Sequence, residues 1–297
     1  SQRMDRAAIV QVRRFNRIVT QRVGALNDHF LSRDRPLGEA RVLWEIGPEG
    51  RDLRSLRADL ELDSGYLSRL LRSLEAAGLI TVGPKESDGR VRIARLTRLG
   101  LKERKLLDQR SDELAASLLA PLNAGQSARL VAAMADVERL LTAAMVEIAT
   151  IDPSHPHAQH CLHEYFSELD RRFDTGFDPG LSIPAAEREM RPPAGLFLVA
   201  TLRGDPIGSG ALKFHGKKPA DIKRMWVAES ARGLGVGRRL LTELEQLATD
   251  HGIRKVRLET NKSLVEAISL YRSAGYVEVA PFNDEPYAHH WFEKQIG

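Results

Sequence analysis

The chain has 297 residues, which is enough for two domains at about 100–200 residues each. Apolar residues make up 42% and charged residues 28%, a balance that excludes an intrinsically disordered chain. The single cysteine, Cys161, excludes an internal disulfide and favours a reducing compartment, so we expect a cytoplasmic protein. The longest nearly apolar run, 194–202, is shorter than the ~20 residues of a membrane span, and no charged-then-apolar leader opens the sequence. We therefore expect neither membrane insertion nor export.

The net charge of +4 is distributed unevenly along the chain. Residues 1–150 contain 25 Lys and Arg against 20 Asp and Glu, a difference of +5. Residues 151–297 contain 19 against 20, a difference of −1. A basic excess confined to one half indicates a polyanionic partner for that half.

The first half is predicted to be mainly helical. Apolar residues recur at three- and four-residue steps over 5–30, which predicts a helix. A heptad pattern predicts a second long helix, with apolar positions at Leu130, Met134, Val137, Leu141, Ala144 and Ile148. This seam favours pairing with another copy of the chain, although an internal core stripe has the same pattern. The segment 149–156 then carries two prolines, so we expect a boundary between domains at 1–150 and 151–297.

Two short helical patterns at 51–59 and 64–77, with N-cap candidates at 63–64, predict a helix-turn-helix. The Asp88-Gly89 pair downstream predicts a hairpin, and arginines alternate with apolar residues along its second strand, so they share one face. Such a face suits phosphates or the minor groove, although exposed arginines are commonly no more than solvated charges. The candidate DNA-binding residues are Ser64, Tyr66, Ser68, Arg69, Arg72, Arg90 and Arg92.

Three short motifs lie in register over this region: 74–80 (LEAAGLI), 88–90 (DGR) and 96–100 (LTRLG). In order and spacing they resemble the recognition helix, wing and wing exit of the MarR family of regulators, over roughly 30–150. The resemblance implies a mainly helical winged helix-turn-helix domain that binds double-stranded DNA as a homodimer through its terminal helices. It also implies that Asp88 orients the wing arginine and that Arg90 reaches DNA.

The second half alternates between two kinds of pattern. Strands are predicted at 196–201, 207–212, 222–227, 256–260 and 276–279, and helices at 234–249 and 264–274. This order predicts a mixed α/β layer structure. The whole chain is therefore expected to be an α+β protein of two domains.

A glycine-rich segment, 232–238 (RGLGVGR), lies between a predicted strand and a predicted amphipathic helix. Its glycines leave backbone N–H groups open at the start of the helix, where free amides and the helix dipole bind phosphate oxygens. The spacing G-x-G-x-G, five residues beyond the strand, disagrees with a dinucleotide-binding fingerprint, and no Lys-Ser/Thr follows as a P-loop requires. The pattern predicts a diphosphate site of another kind.

With 256–261 (VRLETN) and 267–276 (AISLYRSAGY), the glycine-rich segment resembles the pyrophosphate loop, fifth strand and tyrosine motif of GNAT-family N-acetyltransferases. The resemblance covers about 160–297 and implies a GNAT fold with acetyl-CoA as cofactor. It implies acetyl-CoA-binding residues at Met225, Trp226, Val227, Arg232, Gly233, Leu234, Gly235, Val236, Gly237, Arg238 and Asn261. Asn261 is included because Leu264 stands where the family often has asparagine.

The same resemblance implies catalytic roles. Tyr271 would be the general acid for the departing thiolate, with simple packing as the alternative, and the Val227 amide would stabilise the oxyanion. Glu259 is a candidate base, although an ion pair with Lys262 is an equally good interpretation. Acceptor specificity is expected from 164–177 and from the tail at 281–291, which could also be an ordinary loop and edge strand. The candidate substrate-binding residues of the tail are Asn283, Tyr287 and His289.

Histidines cluster at 155–163, but no second pair with ligand spacing is found, so we predict no metal site. We predict a bifunctional protein: a DNA-binding transcription regulator and an acetyl-CoA-dependent N-acetyltransferase for a small amine or amino acid. Two alternatives stay open. The GNAT domain could sense acetyl-CoA without turnover, or the N-terminal domain could serve only for dimerisation and protein docking.

Overall fold

The chain divides into two units, Ser1–Ala132 and Ala133–Gly297, in a computed structural model that describes residues 6–25, 31, 35–85, 88–183, 186–216 and 218–297. The second unit begins before the predicted boundary at 150/151, because residues 147–150 form a strand of its sheet. No helix within the described ranges is long and apolar enough to cross a membrane.

The first unit is mainly helical, with one small antiparallel sheet. Its helices are α1 (Arg6–Arg22), α2 (Leu37–Ile46), α3 (Leu53–Asp59), α4 (Ser64–Ala76) and α5 (Arg98–Leu119), and α6 (Ala124–Ala144) follows. Its strands are β1 (Arg51–Asp52), β2 (Ile80–Lys85) and β3 (Asp88–Leu96), paired in the order β1-β3-β2. The predicted helix at 51–59 is therefore shorter than expected, since its first two residues form β1.

The helix α4 is amphipathic, as its sequence predicts. Four leucines on one face are buried in the core of the first unit: Leu67, Leu70, Leu71 and Leu74. The carboxylate of Asp63 accepts a hydrogen bond from the Tyr66 N–H at 2.8 Å and caps the helix. The opposite face of α4 is exposed to solvent.

The long helices α1 and α6 bury no side chain. On α1, Val10 and Val12 are 54% and 58% exposed, which is unusual for a helix with a regular apolar pattern. The helix predicted over 5–30 ends at Arg22, and its last positions at 26–30 lie outside the described residues. The predicted heptad seam was wrong at its end, because α6 stops at Ala144 and Ile148 lies in a strand.

The second unit is built on one mixed sheet. Its strands are β4 (Glu147–Thr150), β5 (Gly195–Leu202), β6 (Asp205–Lys213), β7 (Ala220–Val227), β8 (Lys255–Thr260), β9 (Val277–Val279) and β10 (His290–Gln295). Its helices are α7 (Pro156–Arg172), α8 (Val236–Asp250) and α9 (Val265–Ser273). The strand order is β4-β5-β6-β7-β8-β10-β9, so the last strand of the chain lies inside the sheet rather than at its edge. Sequence patterns predicted neither β4 nor β10.

The strands β7 and β8 pair over only part of their length, which opens a gap in the sheet. These strands are parallel, whereas the other pairs of the sheet are antiparallel, and they pair only at Ala220 with Val256 and at Asp221 with Arg257. Beyond these pairs the strands are not hydrogen-bonded to each other, so their carboxyl ends leave a gap. The crossover between them is α8, whose buried Leu244 packs in the main core with Phe292 of β10.

Candidate functional site

A cavity of about 470 Å³ lies beside the end of β7, between α7, α9 and the glycine bend that precedes α8. The predicted site residues that line it are Met225, Trp226, Val227, Arg232, Gly233, Gly235, Val236, Gly237, Arg238 and Tyr271. Two predicted cofactor residues are not among them. Leu234 packs against the core of the second unit. Asn261 lines a neighbouring cavity, where its side-chain amide donates to the Tyr287 carbonyl at 2.7 Å.

The glycine bend presents unpaired donors to this cavity. Gly233 and Gly235 have φ values of 84° and 76°, a conformation that L side chains rarely adopt, and a Cβ on either would meet open space. Among the described residues, no hydrogen-bond acceptor is found for the N–H groups of Val236, Gly237 and Arg238. Three free donors at the positive end of a helix, with room for a close approach, fit the diphosphate of acetyl-CoA.

Arginines at the rim of the larger cavity are held in place by neighbouring side chains. Glu168, which is 8% exposed, accepts hydrogen bonds from Arg232 at 2.7 Å and from Arg172 at 3.1 Å through the same oxygen. Arg238 donates to the Ser273 hydroxyl at 2.6 Å. These contacts position the Arg232 and Arg238 guanidinium groups at the rim, where they can donate hydrogen bonds to phosphate oxygens.

A second cavity, of about 90 Å³, adjoins the first. The residues that line both are Tyr165, Leu169, Met225, Leu264, Ala267 and Tyr271. Tyr271 is 5% exposed, and its burial, with smaller effects of Tyr165 and Glu259, raises the pKa of its phenol above the ordinary value. No acceptor for its hydroxyl is found within the described part of the chain, so the proton is available to a ligand at the junction of the two cavities.

The candidate base Glu259 lies in the smaller cavity and is paired with Lys223 of β7. The alternative partner, Lys262, lies instead 3.6 Å from Asp174. One carboxylate oxygen of Glu259, Oε2, is buried and has no partner among the described residues. This oxygen is therefore able to accept a hydrogen bond from an amine.

Only one of the three residues predicted to bind substrate lines the smaller cavity. Tyr287 lines the smaller cavity and packs against Phe177, with ring centroids 4.9 Å apart. Asn283 does not line it and accepts a hydrogen bond from the Trp291 indole at 2.8 Å. His289 does not line it either, since its backbone N–H bonds the Thr260 carbonyl beside β8. The tail therefore contributes one of its three candidates to the cavity.

Sequence reasoning did not name Tyr165, Arg224 or Glu285, which also line the smaller cavity, although 165 and 285 lie in the segments from which acceptor specificity was expected. Glu285 is 9% exposed and accepts hydrogen bonds from the Ser182 hydroxyl at 2.9 Å and the Ile183 N–H at 2.7 Å. The adjacent charged pair Lys223-Arg224, between Ile222 and the apolar run 225–227, was the signal that could have identified Arg224.

The predicted DNA-binding residues lie in the first unit. Ser64, Tyr66, Ser68, Arg69 and Arg72 are exposed on α4, and Arg90 and Arg92 are exposed on β3. The Arg69 guanidinium lies over the Tyr66 ring at 5.5 Å, so these two side chains form one surface. The side chain of Asp88 lies outside the described residues. No group of three potential metal ligands is found within the described ranges.

Comparison with known proteins identifies the second unit. Residues 143–276 match the acetyltransferase (GNAT) family. The chain is 38% identical to IAA acetyltransferase of Azospirillum brasilense over 125 residues, which cover 42% of this chain and 82% of that protein. It is 32% identical to an uncharacterized N-acetyltransferase of Schizosaccharomyces pombe over 129 residues, 42% of this chain and 77% of that protein. A GNAT-family acetyltransferase of Staphylococcus aureus aligns with 51% of this chain and 99% of its own, at 16% identity and a TM-score of 0.44. Through its C-terminal half, the chain belongs to the GNAT family of acetyltransferases and is an acyltransferase that uses acetyl-CoA.

Proposed function

We propose that the second unit acetylates a small amine or amino acid, with Tyr271 and Glu259 acting on the reacting groups. The observation that carries this proposal is the junction of the two cavities. Tyr271 lines both of them, so a donor in the larger cavity and an acceptor in the smaller one would meet at its hydroxyl.

Residues of the two cavities are suited to each step of acetyl transfer. Bound acetyl-CoA supplies the acetyl group as a thioester. The free amides of 236–238 hold its diphosphate, and the Val227 N–H donates to the carbonyl oxygen that gains negative charge. Glu259 Oε2 accepts a hydrogen bond from the acceptor amine, and the surplus amine proton leaves to water or to this carboxylate. Tyr271 donates its proton to the departing sulfur, because a buried phenol is kept in its neutral form.

The direct test is release of free coenzyme A from acetyl-CoA in the presence of amines. We expect acceptor-dependent thiol release by the full-length protein. If the protein binds acetyl-CoA but releases no thiol with any amine, the second unit is a sensor and the proposed turnover is refuted.

We also propose that the first unit is a MarR-like winged helix that binds double-stranded DNA in the cytoplasm and regulates transcription. The supporting observation is the order of elements: helix α4 is preceded by the short α3 and followed by the hairpin of β2 and β3. Its exposed face carries Arg69 and Arg72, and the hairpin adds Arg90 and Arg92. Duplex affinity should fall steeply with salt if several phosphates are contacted. If no duplex binds at low salt, the unit serves for dimerisation alone.

We propose that the chain is a homodimer through its N-terminal helices. The apolar side chains of α1 are exposed, with Phe15 at 42% and Ile18 at 51%. A helix with this pattern gains stability only when its apolar face is covered. Light scattering should give twice the chain mass, and Ile18→Glu should give a monomer. A monomeric wild-type protein at micromolar concentration would refute the proposal.

A further inference from the structure

The residue Arg224 occupies an unusual place in the fold. In the pairing of β6 with β7, Ser209 lies opposite Trp226 and Ala211 lies opposite Lys223, so two residues of β7 face the single residue Gly210. Arg224 is the first of these two and has a φ of 56°, a conformation that favours glycine. A bulge of this kind redirects side chains out of the strand alternation, and it turns Arg224 into the smaller cavity.

The guanidinium of Arg224 is held by aromatic rings rather than by an acid. Its Cζ lies 5.5 Å from the centroid of Tyr165 and 4.8 Å from that of Phe166. Its Nε is buried and has no hydrogen-bond partner, and no described carboxylate lies within ion-pair distance. The nearby Glu285 is already engaged by Ser182 and Ile183. The Arg224 side chain is half-buried and lines the cavity without an ion-pair partner among the described residues, so its guanidinium is available to an anionic group of a ligand.

The same cavity holds an unpaired acceptor of opposite charge. Glu259 Oε2 is buried without a partner, and the other oxygen of this carboxylate is bonded to Lys223. Burial raises the pKa of the Tyr165 phenol, and Arg224, Glu259 and Glu285 all act electrostatically on it, so the three charged groups lie around this one side chain. Aromatic side chains, among them Phe173 and Phe177, also line this cavity.

We propose that the acceptor carries a carboxylate beside its reacting amine, and that Arg224 binds this carboxylate while Glu259 Oε2 receives the amine. The inference rests on the proposed acetyltransferase function and narrows its substrate class. The matching ligand is an amino acid with an apolar or aromatic body, because Phe173 and Phe177 line the cavity and its other charged residues, Lys223 and Glu285, already have partners. Arg224 is thus a specificity-determining residue.

The first experiment compares each amino acid with its own decarboxylated amine, beginning with L-phenylalanine against phenethylamine and L-leucine against isopentylamine. Thiol release from acetyl-CoA gives kcat/KM for each. A charge-assisted hydrogen bond lost in the amine should lower kcat/KM by about tenfold or more. If the amines have kcat/KM values equal to or above those of the amino acids, the inference is overturned, but the acetyltransferase function is still supported. If neither the standard amino acids nor their amines release thiol, the proposed function itself fails.

The second experiment uses Arg224→Gly, because glycine adopts the positive φ at this position without strain and the bulge is kept. The KM for L-phenylalanine should rise about tenfold or more, while kcat/KM for phenethylamine and the KM for acetyl-CoA change little.

The matched control is Arg203→Gly, in the exposed turn between β5 and β6, where the φ of arginine is 53°. This variant makes the same chemical change in the same backbone conformation away from both cavities and should leave all these constants unchanged. An equal loss for both acceptors in Arg224→Gly, or no change in either, overturns the role of the guanidinium.

Discussion

Replacing Tyr271 by phenylalanine removes one oxygen atom at the junction of the two cavities and leaves the ring in place. The ring packs against Tyr276 and Phe292, with centroids 5.9 and 6.0 Å away, and this packing is unaffected by the loss of the hydroxyl. Because no protein partner for the hydroxyl is found among the described residues, its removal should change the free energy of unfolding by less than about 0.5 kcal/mol. Loss of a general acid lowers turnover by about 10²–10⁴-fold, or roughly 3–5 kcal/mol in the barrier.

A neighbouring tyrosine gives the matched control. Tyr276 is 4% exposed and lines neither cavity, and its hydroxyl donates to Glu245 Oε1 at 2.9 Å. Tyr276→Phe removes this bond, although Lys294 still pairs with the other oxygen of Glu245 at 2.7 Å. The expected cost is about 1 kcal/mol of unfolding free energy, or roughly 2–4 °C in Tm for a unit of this size. Turnover should be unchanged.

The two variants are therefore expected to separate catalysis from stability. Thiol release measures kcat and KM, calorimetric titration measures the affinity for acetyl-CoA, and thermal unfolding measures Tm. Tyr271→Phe should have a lower kcat, with the affinity for acetyl-CoA and the Tm unchanged. Tyr276→Phe should have a lower Tm, with kcat unchanged. Weaker acetyl-CoA binding in Tyr271→Phe, with kcat preserved at saturation, would refute the role of Tyr271 as proton donor and assign it to packing.

Three further predictions follow from the same structure. Gly235→Ala and Gly252→Ala introduce a Cβ into open space at the same φ of 76°, at the start of α8 and just beyond its end. Both should cost about 1–2 kcal/mol of stability, and only Gly235→Ala should weaken acetyl-CoA binding, as titration can show. Burial raises the pKa of the Cys161 thiol to about 12, so at pH 8 it is protonated, and thiol reagents should label it only after unfolding. Arg69→Ala should weaken duplex binding and should reduce the slope of log affinity against log salt concentration by about one. Arg110→Ala, on α5, should change neither quantity.

The sequence predicted the features that depend on neighbouring residues in the chain. The leucines of α4 lie at helical spacing, and the structure buries all four. The glycine bend was predicted from its composition, and free N–H groups at 236–238 are a property of any helix start. Tyr271 was found by its motif, and the structure brings it to both cavities.

The features that were missed depend on residues far apart in the chain. The strand β4 has only four residues, and its identity as a strand comes from pairing with β5 some 50 positions later. The strand β10 pairs with β8 along its whole length, and no local pattern indicates that it inserts between β8 and β9. Its insertion fixes the preceding loop, so Tyr287 reaches the smaller cavity whereas Asn283 and His289 are held elsewhere.

The position of Arg224 in the smaller cavity also depends on residues far apart in the chain. A strand pattern alone assigns alternate faces to Lys223 and Arg224, yet both line the smaller cavity. The reason is the bulge opposite Gly210, where a Cβ would lie 2.8 Å from the Met225 sulfur and 2.9 Å from Leu244. A side chain at position 210 would require Met225 or Leu244 to move, so glycine fits opposite the bulge without rearrangement. If Arg224 binds the carboxylate of the acceptor as proposed, substrate preference depends on the register between β6 and β7, which no single segment of sequence encodes.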